Sequence, residues 1–90
     1  MKPDEWNLLR ELFSRTDIHE HVRKIGARLG MHPKRVIYLC EKWAGRDWYD
    51  YGVAADLGWL TDKGRLAALQ EAARRNDAER EFPVQENGAK

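Results

Sequence analysis

The sequence predicts a mainly α-helical fold carrying one small β-hairpin: a three-helix core, a two-stranded hairpin and a C-terminal helix. Three observations predict it. Between Val22 and Trp43, apolar residues recur at helical spacing on both sides of a break at Leu29-Gly30-Met31. From Asp47 to Leu60 that period is lost, and aromatic residues alternate imperfectly as they do in short strands. From Leu60 onward, Thr61-Asp62 supplies a capping signal and opens a long stretch of helical period.

The first helix is expected from about Glu5 to about Arg15. Asp4 can cap it, and Glu5 suits the positive end of its dipole. Trp6, Leu9 and Phe13 line one face, and Leu8 and Leu12 widen it. Ser14-Arg15-Thr16 is the break. Asp17 followed by Glu20 has the form of a capping box and predicts the start of the second helix.

In the second helix Val22, Ile25 and Leu29 form the inner stripe. Gly30 can take positive φ at its end. His32 falls at the next N-cap and Pro33 at the first helical position. Val36, Cys40 and Trp43 then repeat at i, i+4 and i+7, and Gly26 faces inward where two helices cross closely. These residues predict a single core of Val22, Ile25, Leu29, Val36, Cys40 and Trp43. Two short helices meeting at a tight turn are a helix-turn-helix. Ala44-Gly45 ends the third helix. Asp47–Tyr51 and Leu57–Leu60 read as a strand pair joined by Gly52–Asp56. Such a pair needs support beneath it, for which Trp48, Tyr51, Trp59 and Leu60 offer apolar side chains.

The last helix is expected from Asp62 to roughly Arg80, with Leu66, Leu69 and Ala73 inward, Glu71 pairing with Arg75, and Gly64 allowing close approach to a neighbouring element. From Phe82 onward few core-forming residues remain. The chain therefore divides into one domain, 1–81, and a disordered tail, 82–90.

The run G-A-R-L-G-M-H-P-K-R-V resembles bacterial regulators whose pattern is A-x-x-L-G-(apolar)-S-x-x-x-V. Some 30 residues later, L-T-D-K-G-R-L-A-A-L resembles the strand-to-helix junction after the wing in MarR-like and PadR-like regulators. Together they resemble a winged helix-turn-helix domain over about residues 5–75. The resemblance implies sequence-specific binding of double-stranded DNA by a small transcriptional regulator, with a recognition helix at about 33–43 in the major groove. Its small size suits a phage or mobile-element protein, and a homodimer through the last helix would double the DNA site.

Charge points the same way. The net charge is +1, yet His21–Arg46 holds seven bases against one acid, a local +6. His32, Lys34, Arg35, Ile37, Tyr38 and Lys42 are the exposed positions expected on the recognition helix. Lys34 or Arg35 would donate to guanine. Arg23, Lys24, Arg28 and Arg46 are expected near phosphates. The hairpin departs from the pattern, carrying Asp47, Asp50 and Asp56 and no base between Arg46 and Lys63. That supports an alternative: a protein-interaction module docking through Trp48, Tyr49 and Tyr51.

Other chemistry is not expected. His19 and His21 stand two residues apart, about 200° around a helix, so their imidazoles diverge, and no metal site forms. The single cysteine, Cys40, has an inward register and reads as a buried thiol. No nucleophile–base pair, carboxylate pair or phosphate loop suggests an enzyme or a cofactor. No apolar run nears the ~20 residues of a membrane span, and the N-terminus lacks an export signal. A cytoplasmic location is expected, nucleoid-associated if the protein binds DNA.

Overall fold

A computed structural model describes residues 1–80. The element order is α1 (Pro3–Ser14), α2 (Val22–Arg28), α3 (Pro33–Gly45), β1 (Tyr49–Tyr51), β2 (Gly58–Leu60) and α4 (Asp62–Arg80). The strands form one antiparallel pair, with Tyr49 opposite Leu60, Asp50 opposite Trp59 and Tyr51 opposite Gly58. The fold is therefore mainly helical with a two-stranded hairpin, as expected. The tail expected at 82–90 lies outside the described residues. No described helix is long and apolar enough to cross a membrane.

The core joins Leu8, Leu9 and Leu12 of α1, Val22 and Ile25 of α2, and Val36, Leu39, Cys40 and Trp43 of α3. Tyr49, Leu60 and Ala68 close it from the hairpin and α4. Each helix contributes through an i, i+3/i+4 stripe, which places apolar side chains on one side of its axis. Where α2 crosses α3, a Cβ on Gly26 would overlap Cγ2 of Val36, so only glycine permits that crossing distance. Gly30 adopts φ 77° at the turn, the conformation that costs glycine least. Burial pushes the Cys40 thiol up to about 11, which leaves it a protonated, inert part of the core.

Four expectations are corrected. First, α1 begins at Pro3, with Lys2 as N-cap and proline in the first turn; Asp4 instead reaches toward α3. Second, Asp17 does not start α2. Its carboxylate accepts from the His19 amide at 2.9 Å and closes a turn, and helix begins only at Val22. The Val22 amide donates to the Asp56 carbonyl at 2.8 Å, so a distant segment satisfies a donor that a local cap was expected to serve. Third, Leu29 is 36% exposed. It is the C-cap of a seven-residue helix, and its φ of −91° and ψ of 4° take it off the helical stripe. Half-buried Met31 packs against the core two residues later, its amide donating to the Gly26 carbonyl at 2.9 Å.

The fourth correction concerns α4. Leu66 and Leu69 are 53% and 54% exposed, and Ala73 is also exposed. Among the described side chains of α4, Gly64 and Ala68 are the buried positions. Gly64 sits directly on the backbone of Trp48, and any Cβ there would overlap the Trp48 carbonyl. That contact sets the rotation of the helix. Thr61 anchors it further: its amide donates to the Trp48 carbonyl at 2.9 Å and its hydroxyl to the Asp47 carbonyl at 2.5 Å. The same hydroxyl oxygen accepts from the Gly64 amide at 3.0 Å as the N-cap. With Gly64 inward, Leu66 lies two residues away and so on the opposite side of the helix.

Candidate nucleic-acid interface

The turn before α3 and its first turn are shaped as their sequence requires. Pro33 occupies the first turn of α3, and Nδ1 of His32 accepts from the Lys34 amide at 3.1 Å, capping the helix. Because Val36, Leu39, Cys40 and Trp43 face the core, Lys34, Tyr38 and Glu41 face solvent and Ile37 is half-buried beside them. Tyr38 is 55% exposed. Arg23 of α2 joins this surface, lining one open depression with Pro33, Lys34, Ile37, Tyr38 and Glu41.

The local +6 does not survive folding as a free charge. Arg23 donates through Nε to Asp56 Oδ2 at 2.8 Å. Arg28 donates through both terminal nitrogens to Glu20, at 2.6 and 3.2 Å. Arg35 grips Asp4 in a bidentate pair, Nε to Oδ2 at 2.9 Å and Nη2 to Oδ1 at 3.1 Å. Lys42 donates to Glu5 Oε1 at 3.2 Å. Four of the seven bases thus meet acids that lie outside the basic stretch, so the +6 falls to +2 once those acids are counted. Among the described residues, Lys24, Lys34 and Arg46 have no carboxylate partner, and the Arg46 guanidinium lies 5.1 Å from the Trp48 ring centre.

These pairs differ in what they leave available. Arg35 and Lys42 are mostly covered, and Arg35 has its fork engaged, which removes the geometry a guanine contact needs. Arg28 has both Nη groups engaged by Glu20. Arg23 is engaged with Asp56 through Nε and its side chain is 54% exposed, so among the described residues its terminal nitrogens carry no carboxylate.

Asp56 is the residue that sequence reasoning missed. It is 4% exposed although it stands in the hairpin loop. Its carboxylate accepts from Arg23 Nε and meets His21 Nδ1 at 2.7 Å, while its carbonyl takes the Val22 amide. Burial pushes its pKa up, but the hydrogen bonds from His21 and Arg23 outweigh that, and the net shift is downward. Its only sequence signal is its setting, a lone acid within G-V-A-A-D-L-G. Glu5 was likewise unforeseen as a core residue: it is 3% exposed and accepts from Trp43 Nε1 at 2.9 Å as well as from Lys42.

The hairpin does not present the aromatic face expected for docking. Tyr49 is buried, its hydroxyl donating to the Ala55 carbonyl at 2.7 Å, and burial raises its pKa. Trp48 is half-buried, and Tyr51 is 37% exposed. Asp56 is internal, so two of the three hairpin acids, Asp47 and Asp50, remain on the surface. The histidines are in separate places: His21 on Asp56, His32 on the α3 cap and His19 in the turn. No family model, no curated protein and no solved structure matches this chain.

Proposed function

We propose that the chain is a winged helix-turn-helix protein that binds double-stranded DNA, with the exposed side of α3 in the major groove. The observation that carries this reading is the continuous open surface of Arg23, Pro33, Lys34, Ile37 and Tyr38 across α2 and α3. It combines a base able to reach a base edge, apolar contact area and a guanidinium whose terminal nitrogens carry no carboxylate among the described residues. In this reading Lys34 is the base reader and Tyr38 contacts backbone sugar or phosphate. Arg23 and Lys24 hold phosphates, which position the protein without specifying sequence. His32 orients the start of the helix. Arg35, Lys42 and Arg28 build the scaffold rather than the contact. The reading predicts fewer phosphate contacts than the raw charge of the segment suggests.

A gel-shift salt series on duplex DNA tests it. Log affinity should fall with log salt at a slope of about −0.9 per phosphate contact, so two to four contacts give a slope of roughly −2 to −4. Arg23→Ala or Lys24→Ala should weaken all sequences alike and make the slope shallower by about one. Lys34→Ala should cost roughly 1–3 kcal/mol at one base pair. Binding no stronger than that of a generic polycation and indifferent to Lys34 would end the proposal. It would favour the docking module, whose remaining surface is Tyr51, Trp59 and Val53, the last 93% exposed.

A further inference from the structure

Where α1 and the segment after it meet β2 and α4 lies an open groove lined by Leu12, Arg15, Ile18, Trp59, Leu60 and Arg65. Leu12 and Leu60 are buried, while Ile18 and Trp59 are 53% and 42% exposed. The groove holds about 310 Å³, the small end of the clefts that receive ligands, so it takes one bulky side chain rather than a broad face. An apolar group entering it would release water from the exposed isoleucine and indole, which favours binding.

Two guanidiniums complete the lining. Half-buried Arg15 donates through Nη1 to the Glu20 carbonyl at 3.2 Å and through Nη2 to the Gly58 carbonyl. A guanidinium has more N–H donors than these two bonds use, so its plane is fixed while donors remain. Arg65 lies over the Phe13 ring, 4.4 Å from its centre. Stacking occupies the face of a guanidinium and leaves the donors at its edge available. Neither arginine meets a carboxylate among the described residues, whereas Arg23, Arg28, Arg35, Arg74 and Arg75 each do. Two unneutralised cations, each held by an uncharged partner, match two carboxylates. They stand on different parts of the chain, Arg15 just after α1 and Arg65 on α4. A fatty acid brings a single carboxylate, whereas a peptide can place an acid on each side of an apolar residue. A nucleic-acid strand also brings anions, but it stacks on aromatic rings, and three of the four apolar lining residues here are aliphatic.

We propose that this groove docks an acidic peptide segment of another protein: one bulky apolar side chain enters beside Ile18 and Trp59, and carboxylates on its sequence neighbours pair with Arg15 and Arg65. The apolar side chain supplies the anchor, and the two arginines select for acids around it. Docking here is independent of DNA binding at the α2–α3 surface, with which the groove shares no lining residue.

The test titrates the full-length chain into a fluorescein-labelled peptide, Gly-Asp-Glu-Leu-Glu-Asp-Gly, and reads anisotropy, with NMR of the tryptophan indole N–H signals on the same mixture. The dissociation constant should be below about 100 µM, and the Trp59 signal should shift on binding. Replacing the peptide leucine by glycine, or its acids by the matching amides, should weaken binding roughly tenfold or more. Arg65→Glu should do the same, and a peptide with lysines in place of the acids should bind this variant better than it binds the unaltered chain. Trp59→Ala removes apolar wall rather than charge and should weaken binding to a similar degree. Both side chains are exposed, and an unchanged thermal midpoint checks that the fold is intact. Lys24→Ala and Lys34→Ala should leave peptide binding unaltered. Absence of binding at the stated concentration overturns the proposal. So does an equal loss with Lys34→Ala, because the peptide then sits on the α2–α3 surface. Indifference to the peptide leucine also overturns it, since charge alone then holds the peptide. An oligothymidylate that shifts the Trp59 signal and binds more tightly than the peptide does so too, because the groove then takes a nucleic-acid strand.

Discussion

α3 and α4 turn opposite kinds of residue toward the core. α3 buries Val36, Leu39, Cys40 and Trp43 and leaves Lys34 and Glu41 outside. α4 buries Gly64 and Ala68 and leaves Leu66 and Leu69 in solvent. The difference is one of separation. Apart from the close crossing at Gly26, α3 meets its neighbours through large side chains, which fill the gap and bury most apolar area. α4 is drawn onto the Trp48 backbone by the Thr61 anchor, at a distance that only a missing side chain allows. Apolar periodicity indicates the inner face when side-chain volume sets the spacing. It misleads when a backbone contact does.

The contrast can be broken most forcefully at Trp43. Trp43→Ala should cost ~3–5 kcal/mol, because it empties a fully buried site and strips the indole donor from the buried Glu5. Chemical denaturation of the purified variant gives the number. A loss below about 1 kcal/mol would mean that α3 does not organise the core.

Gly64→Ala comes next and is the sharper test. Helix propensity alone predicts a gain of about 0.8–1 kcal/mol for this change. The overlap with the Trp48 carbonyl predicts a loss of about 1–3 kcal/mol instead, because backbone cannot step aside as a flexible side chain can. The sign of the shift in the thermal midpoint decides which applies.

A third test addresses charge pairs. Asp4, Glu20, Asp56 and Glu71 all have pKa values below the ordinary carboxylate range. For Asp4, Glu20 and Glu71 the leading cause is a hydrogen bond from Arg35, Arg28 and Arg74 respectively; for Asp56 burial, the largest single influence, acts upward and is outweighed by the bonds from His21 and Arg23 together. A depressed carboxylate stabilises the fold fully above its unfolded value, and the contribution is lost as pH falls through the folded value. Stability should therefore hold at neutral pH and decline in acid, from about pH 4 downward. Asp56→Asn should cost roughly 1–3 kcal/mol at neutral pH and make that acid decline shallower. Urea titrations at a series of pH values measure both. An unchanged acid limb would show that Asp56 is not a principal contributor to it. The solvent-exposed pair of Arg28 with Glu20 should contribute little because water and salt screen it, so Glu20→Gln is the control.

The smallest effects belong to the outward leucines. Leu66→Ala and Leu69→Ala should change monomer stability by no more than about 0.5 kcal/mol when measured at concentrations too low for association. Leu29→Ala, at a helix end and partly exposed, should cost less than about 2 kcal/mol, below the usual range for a core leucine. Larger losses at Leu66 would place that face of α4 against the core and undo the comparison.

Read in order, the chain announces what depends on neighbours in sequence. The number and order of helices, the turn at Gly30, the His32 cap, the Thr61 cap, the Gly26 crossing and the strand pair all follow from residues a few positions apart, where chain stereochemistry and side-chain period act directly. What tertiary structure decided is what joins residues far apart in the chain. Asp4 and Arg35, Glu5 and Trp43, and Arg23 and Asp56 are separated by 31, 38 and 33 residues. No local pattern links them, yet Asp4 and Asp56, together with Glu5 on Lys42 and Glu20 on Arg28, engage four of the seven bases of the basic stretch. The rotation of α4 belongs to the same class, since it is set by a contact between Gly64 and the backbone of Trp48. Local sequence selects which elements form, because each is governed by short-range geometry. Which charges stay free and which face of a helix turns inward depends on the partners that packing brings within a few ångströms.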